Sequence, residues 1–560
     1  MFKRWICAIL VAALALSLWY VAYTTDDPMY ERASETDEAT EEGEPGQQAD
    51  SAQNIPAYTD DGSLTIWYTD DALTEYLSSV ALSFQQDNDI KVNVVKKDGV
   101  QFLEAINADS VGNGVRTEAP CDLYITSHDN LLRAYLSGLA SEITDPENVI
   151  NISNYPQTAL NAVTCYDHFV AYPLYYETNF FLYNKTYMAS IAQNRIEADA
   201  DLIEGEEATR QLEEEGAPKE VAKEISTDDG DDKEDGKEDD DKDEADGDKQ
   251  SEEEGTDTEE GDMTEADLED PMGNEDAVAD PEVLEKLATM IPSTIEDIKT
   301  FANNYDAPEA VESVFKWDVS DIFYNYFFVG NYMDVGGEHG DNASAFNIYN
   351  SQAVECLRAY QTMNQFFSID TKVDNYNNIL QDFIDGKMVF TVATTDAIAR
   401  IHDAQKNGEF DFEYGICALP DITDLLKARG LSVTDAVAVN GYSSKKDDAN
   451  RLAEYIVYDK ASDLYMKSGK VSCCKTVEYE DSEISNIMEE YEKSMPLPKM
   501  VETSNYWVQL EIAFTRVWNG QDPEEILKEL SDTIGGQIEK IKANLPTQES
   551  FNAGGAGLIQ

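Results

Sequence analysis

Pro120–Ile143 reads PCDLYITSHDNLLRAYLSGLASEI, and about fifty residues further on Ala171–Lys185 reads AYPLYYETNFFLYNK. In the first stretch the apolar run Leu123–Ile125 predicts a short buried strand, Thr126–Asn130 the loop leaving it, and Leu131–Leu139 a helix closed near Gly138. A strand that ends in a polar loop is where open α/β sheets bind ligands. The second stretch carries a strand over Phe180–Tyr183, preceded by Glu177 in a Tyr- and Asn-rich approach. Together they predict a protein that captures a ligand.

Strand and helix alternate outward from this pair. Ser63–Tyr68 predicts a strand, Leu73–Asp87 a helix on the spacing of Leu73, Tyr76, Leu77, Val80 and Phe84, and Ile90–Lys96 the next strand. That βαβ unit favours a parallel sheet. Later come the strand Met388–Val392, the helix Asp396–Asn407, the strand Tyr414–Ala418, the apolar run Ala436–Val439 and the helix Lys446–Tyr458. Trp507–Trp518 and a last helix from Asp522-Pro523 through Ile541 close the chain. The class is α/β, with no internal repeat of fixed period.

The charge is extreme, 113 Asp and Glu against 40 Lys and Arg in 560 residues, net −73. Such a field repels phosphate backbones and anionic membrane surfaces and excludes nucleic acid as a partner. It is also uneven. Arg195–Asp280 holds 39 acidic and 8 basic residues, and Asp26–Asp61 holds 12 and 1. Both tracts are poor in aromatic and β-branched residues, so they bury too little apolar surface to offset ordering entropy and are expected to be disordered. No calcium loop is spelled in the longer tract: around Gly236 the third ligand position is Lys233, and around Gly247 the first is Lys242.

Lys3 and Arg4 precede an apolar run from Trp5 to Tyr23, and Asp26 and Asp27 follow it, an export signal with positive-inside bias. As a helix Ile6–Tyr23 spans about 27 Å, close to the hydrocarbon core. Trp19, Tyr20 and Tyr23 occupy the place of a small-residue cleavage site, which favours an uncleaved signal-anchor, with a cleaved peptide as the alternative. Cys121, Cys165, Cys356, Cys417, Cys473 and Cys474 are too sparse in a chain of this length to be a disulfide framework. Four scattered histidines, no G-x-S-x-G and no phosphate-binding glycine loop give little support to an enzyme or a metal site.

Several strings in order resemble the family 1 extracellular solute-binding proteins of ABC transporters, the maltose-binding branch above all. They are SLTIWYTDD (Ser63–Asp71), the opening pair, DGKMVFTVATTDAIARI (Asp385–Ile401), EYGICALPDI (Glu413–Ile422), MPLPKM and YWVQLEIAFTRVWNGQDPEEIL (Tyr506–Leu527). The resemblance implies a periplasmic-binding-protein-like fold of two α/β lobes with a hinge and an interlobe ligand cleft. On that alignment residues 1–25 are the signal segment, 26–61 an acidic linker, 62–178 and 413–480 the first lobe, and 179–191, 287–412 and 481–545 the second. Residues 192–286 are an acidic insertion in a surface loop and 546–560 a tail.

The resemblance also implies a site. A sugar cleft uses carboxylates to accept hydroxyl hydrogen bonds and flat rings to cover pyranose faces. Asp71, Asp129 and Glu177 align with carboxylates of the first lobe and Trp507 with a stacking tryptophan of the second. Asp321, Phe323 and Tyr326 fall where the family has an acid and two aromatics. Thr126 and Asp396 stand where maltose binders place tryptophans, and Ala72 replaces a lysine, so maltodextrin itself is less favoured than the cleft. Read alone, Asp129 is a helix cap and His128 a structural residue.

The implied function is capture of an oligosaccharide for an ABC permease by a monomer without cofactor or metal. It works at the outer face of a Gram-positive-type membrane, tethered by its N-terminal segment. The alternatives are a tethered interaction or sensor protein that keeps the fold without transport, and a glycoside-processing enzyme.

Overall fold

Leu64–Tyr68 (β1) is buried along its whole length, as expected of a strand covered on both faces. Strands Val92–Lys96 (β2) and Leu123–Ser127 (β3) pair with it in parallel, and the helix Thr74–Asn88 connects the first two by burying Tyr76, Leu77, Val80 and Phe84. The computed structural model describes residues 58–111, 118–144, 148–214, 275–500 and 505–544. The signal segment, nearly all of the acidic linker, the middle of the acidic insertion with Gly236 and Gly247, and the C-terminal tail lie outside them. Among the described residues no helix is long and apolar enough to cross a membrane.

One strand organises the rest. Tyr172–Asn184 (β4) runs for 13 residues, about 43 Å at a normal strand rise. Its first half pairs antiparallel with Leu431–Val439 (β8), through Tyr172↔Val437 to Thr178↔Ser432. Its second half pairs antiparallel with Met388–Thr394 (β6) and with Tyr414–Cys417 (β7). Ser313–Lys316 (β5) continues beyond β6 in parallel. The strand order is β2-β1-β3-β8-β4-β6-β5, with β7 added to β4 and Met495–Pro496 (β9) to β8. Two sheets thus share β4, and the chain passes between the lobes at Thr178 and Asn179, again between β7 and β8, and again around β9. Close packing at the second sheet needs a glycine: a Cβ on Gly415 would lie 2.1 Å from the Tyr183 ring.

The parallel sheet expected from the opening βαβ unit is realised in β1, β2 and β3, whereas β8 runs antiparallel to both β3 and β4. Apolar runs encode burial, not direction. The expected four-residue strand at Phe180–Tyr183 is the end of β4, whose continuity is masked in sequence by Pro173, Glu177 and Asn179. The helix after β3 ends at Leu136 because Gly138 turns the chain at φ +74°. The helix from Lys446 widens into a π turn at Tyr455–Asp459. At the edges of the acidic insertion, Lys185–Glu214 is one helix and Pro281–Ala288 packs back through buried Val283 and Leu287, with Lys286 Nζ 2.9 Å from Asp199. Helical order therefore enters the 192–286 stretch from both ends, carried by apolar residues such as Ala192 and Ala277 that the overall charge count overlooks.

The second lobe's core is aromatic. Trp317 stacks on Phe315 at 4.9 Å and meets Trp518 edge-on at 5.7 Å, and Tyr360 closes on Trp518 at 5.1 Å. Lys499, 2% exposed, fastens the segment after β9 to the first lobe. Its Nζ donates to the carbonyls of Asn161, Ala162 and Thr164 at 2.7, 3.0 and 2.5 Å, while its own N–H donates to Gly340 of the second lobe at 2.7 Å.

Candidate functional site

Three elements of the first lobe bring carboxylates together. β1 ends in the short 3-10 turn Asp71–Leu73, capped by Asp70, whose side chain accepts from the Ala72 N–H at 3.0 Å. The cap turns Asp70 inward and Asp71 outward. Asp70 Oδ2 lies 3.0 Å from Lys470 Nζ, and the same ammonium lies 3.1 Å from Glu177 Oε1 on β4. The Lys470 ammonium also stands 5.0 Å from the centroid of the Tyr175 ring, a cation–π distance. Lys470 is held there because Ser472, two residues on, bridges Tyr175 of β4.

Asp435, half-buried on β8, pairs in register with Ser127 of β3 and Tyr175 of β4. Side chains of directly paired antiparallel residues share a face, so Asp435 joins the same group. Burial, then the charges of Glu177, Asp129 and Asp70, push its carboxyl up to about 7 against the pull of Lys470. Asp70 is the opposite case. Burial raises it, but the Lys470 ammonium and the Ala72 N–H outweigh burial and hold it below the usual carboxylate range. Burial works against the Lys470 ammonium too, yet Glu177 and Asp70 keep it above the usual lysine value.

Asp129 follows β3 and accepts from the Ser127 hydroxyl. Its neighbour His128 is buried, with Nε2 2.9 Å from the Leu497 carbonyl and Nδ1 accepting from the Thr434 N–H at 3.0 Å. Burial and Lys499 lower its pKa to about 4, so it is a neutral structural link between β3, β8 and the segment after β9.

The elements of the second lobe that carry the remaining expected residues present rings and fewer charges. Asp396 begins the helix after β6, accepting from the Tyr376 hydroxyl at 2.7 Å and from Thr394. Tyr376 stacks on Tyr324 at 4.6 Å, and Arg400 lies 4.0 Å from Asp396. This group stands beside the crossing, since Thr394 pairs with Asn179 and Thr395 Oγ1 donates to the Tyr176 carbonyl at 3.2 Å. Trp507, half-buried at the start of the helix Tyr506–Trp518, meets Tyr326 edge-on at 5.4 Å. Tyr326 itself is 1% exposed. Asp321 caps the turn Ile322–Asn325 by accepting from Phe323 N at 2.8 Å, with its pKa raised by burial. Phe323 packs edge-on against Tyr324 at 5.9 Å.

The residues expected from sequence therefore divide. Glu177 and Asp129 lie in the charged group of the first lobe. Asp71 faces away and pairs with Lys96. Asp396 joins Tyr376 and Tyr324, while Trp507 and Tyr326 form a neighbouring pair and Asp321 and Phe323 a capped turn. Asp70, Asp435, Lys470 and Tyr376 escaped sequence reasoning. Asp70 had a local signal, its place one residue before a turn, whereas Lys470 meets Glu177 across 293 residues of chain. Three cavities, of about 440, 540 and 610 Å³, open elsewhere, and none is lined by Asp70, Glu177, Asp435, Asp396 or Trp507. Among the described residues no group of His, Cys, Asp and Glu has the arrangement of a metal site.

Solved structures share this architecture. The extracellular solute-binding protein from Staphylococcus aureus in complex with maltose matches with a TM-score of 0.59 at 17% identity, over 86% of this chain and 100% of that one. A cyclo/maltodextrin-binding protein complexed with maltotetraose gives 0.58 at 16% identity, over 88% and 100%. The maltose-binding periplasmic protein from Listeria monocytogenes in complex with maltose gives 0.57 at 16%, over 87% and 99%. No family model matches the sequence, and no curated protein sequence does. The chain has a maltose-binding-protein-like solute-binding fold.

Proposed function

We propose that this protein captures a carbohydrate between its two lobes and delivers it to an ABC-type permease at the outer face of a membrane, held there by its N-terminal segment. The observation that carries the reading is the gathering of Asp70, Asp129 and Glu177 where β1 and β3 end and β4 crosses between lobes. Carboxylates in that position accept hydrogen bonds from sugar hydroxyls. The half-buried Trp507 supplies an apolar ring for the opposite face of a pyranose. The chemistry is binding without turnover: the carboxylates serve as acceptors, and the solved neighbours are described as binding proteins.

A thermal-shift screen of the protein against mono- and oligosaccharides tests the reading. A ligand at one hundred times its dissociation constant stabilises the native state by about 2.7 kcal/mol, a shift of a few degrees. Asp129→Ala is expected to weaken binding of a hit by roughly 1.5–3 kcal/mol as a lost charge-assisted hydrogen bond. Trp507→Ala should cost about 1–3 kcal/mol, by analogy with stacking on aromatics. Unchanged affinity in both variants would sink the site. A second reading, an interaction or sensor protein without transport, is favoured by Lys470, which pairs with both Asp70 and Glu177. No shift across a broad sugar panel would select it.

A further inference from the structure

The 540 Å³ cavity is walled by both lobes, and none of the charged group of the first lobe lines it. Asn161 comes from the first lobe, Asn331, Tyr332, Asp334 and Glu338 from the second, and Arg429 from the passage between β7 and β8. Its volume falls in the range of small-molecule sites.

These side chains are fixed by the protein and still have bonds to give. Across the lobes, Asn161 Nδ2 donates to Glu338 Oε1 at 3.4 Å. Asn331 Nδ2 donates to the carbonyls of Lys427 and Ala428, both at 3.0 Å, and the Tyr332 hydroxyl accepts from the Lys427 N–H at 2.7 Å. Asp334 Oδ1 accepts from the Gly337 N–H at 2.9 Å. Arg429 Nε and Nη2 donate to the carbonyls of Lys493 and Ser494 at 2.9 and 3.0 Å. What remains is the Asn331 amide oxygen, the Tyr332 hydroxyl proton, the second oxygen of each carboxylate and the other guanidinium N–H groups. Side chains held by one bond with another to offer are what a preorganised site requires.

The charges in the wall select the ligand. Burial holds the Arg429 guanidinium below the usual arginine value, against Tyr326 and Asp334. Among the described residues its bonds go to carbonyls and not to a carboxylate, and those of Asp334 and Glu338 come from an N–H and an amide and not from a cation. A hydroxyl group answers both signs at once, its oxygen accepting from the guanidinium and its proton going to a carboxylate. An anion would face Asp334 and Glu338, and a cation would face Arg429. Tyr332 is the one aromatic ring in the wall among the described residues, so recognition falls to hydrogen bonds and not to stacking.

We propose that this cavity is a second binding site, separate from the capture cleft, and that it takes a small neutral polyol, the cyclic or open-chain form of a single sugar unit. The proposal stands without the capture reading.

Calorimetry and hydrogen exchange of the full chain at pH 7 test it, with millimolar sorbitol, myo-inositol, glucose, glucosamine and glucuronate as probes. The expected result is saturable binding of sorbitol or myo-inositol, at least tenfold tighter than glucosamine or glucuronate, with slowed exchange at 158–161, 331–338 and 494–496. Asp334→Asn and Tyr332→Phe, each first shown to melt cooperatively, should weaken that binding three- to tenfold; unchanged affinity in both overturns the proposal. Equal or tighter binding of the charged probes overturns it too. Protection by the polyols confined to 70–72, 175–179 and 469–472 places them in the capture cleft and removes the second site, as does binding of none of the probes. Oligosaccharide capture, read in the thermal screen, is untouched by each of these failures.

Discussion

The two walls that flank the β4 crossing solve the same problem with different materials. In the first lobe Asp70, Glu177 and Asp435 surround Lys470. In the second, Tyr376 spends its hydroxyl on Asp396 and its ring on Tyr324. One wall is an electrostatic group whose members come from four separate segments; the other is an aromatic cluster anchored through the Tyr376 hydroxyl, which donates to Asp396 and accepts from Thr394. A charged group responds to pH and to the loss of any one partner, whereas stacked rings lose roughly the area that is removed.

Lys470→Met presses hardest on this contrast. It leaves Asp70, Glu177 and Asp435 without their cation, and stability at pH 7 should fall by about 2–3 kcal/mol, discounted for partial exposure, read as a drop in melting temperature. The pH dependence follows from Asp70, whose folded pKa is depressed. Its contribution is present above the unfolded carboxylate value near 4 and lost as pH falls through the folded one. The gap between variant and wild type should therefore close in acid.

Asp435→Asn should move stability the other way. A carboxyl raised to about 7 stabilises the fold relative to a normal aspartate only below the unfolded value near 4, and that advantage is lost as pH rises through about 7. At pH 8 the amide should be more stable than wild type by on the order of 1–2 kcal/mol, and at pH 4 the two should melt together.

On the aromatic side, Tyr376→Phe keeps the ring and removes the bond to Asp396, at a cost of about 1 kcal/mol. That cost should be nearly flat from pH 5 to 8, in contrast to Asp435→Asn. Smallest of all is Asp71→Ala. Its partner Lys96 is exposed, and no measurable change in melting temperature is expected. A clear loss there would move the charged group of the first lobe outward by one residue.

Much of the scaffold was legible in sequence because local patterns specify it. The spacing of Tyr76, Leu77, Val80 and Phe84 marks a helix face, and Asp396–Asn407 follows its strand just as its periodicity requires. β4 was legible only in part, because a strand shared by two sheets can hold Glu177 at the crossing without losing its pairing. The candidate site was half legible for a related reason. Glu177 and Asp129 lie in strings with recognisable neighbours, whereas Lys470 follows an ordinary helix end at Gly469 and gains its meaning from β4. Between adjacent Asp70 and Asp71, a 3-10 turn decides which faces inward, and sequence spacing does not resolve that choice.

Hydrogen exchange of the full chain, with and without a saturating sugar from the thermal screen, tests the central claim most directly. Capture between the walls predicts slowed exchange at 70–72, 175–179 and 469–472 in the first lobe and, in the same experiment, at 322–326, 376 and 394–397 in the second. Protection confined to one lobe, or to segments remote from the β4 crossing, would contradict a cleft closed over its solute by both.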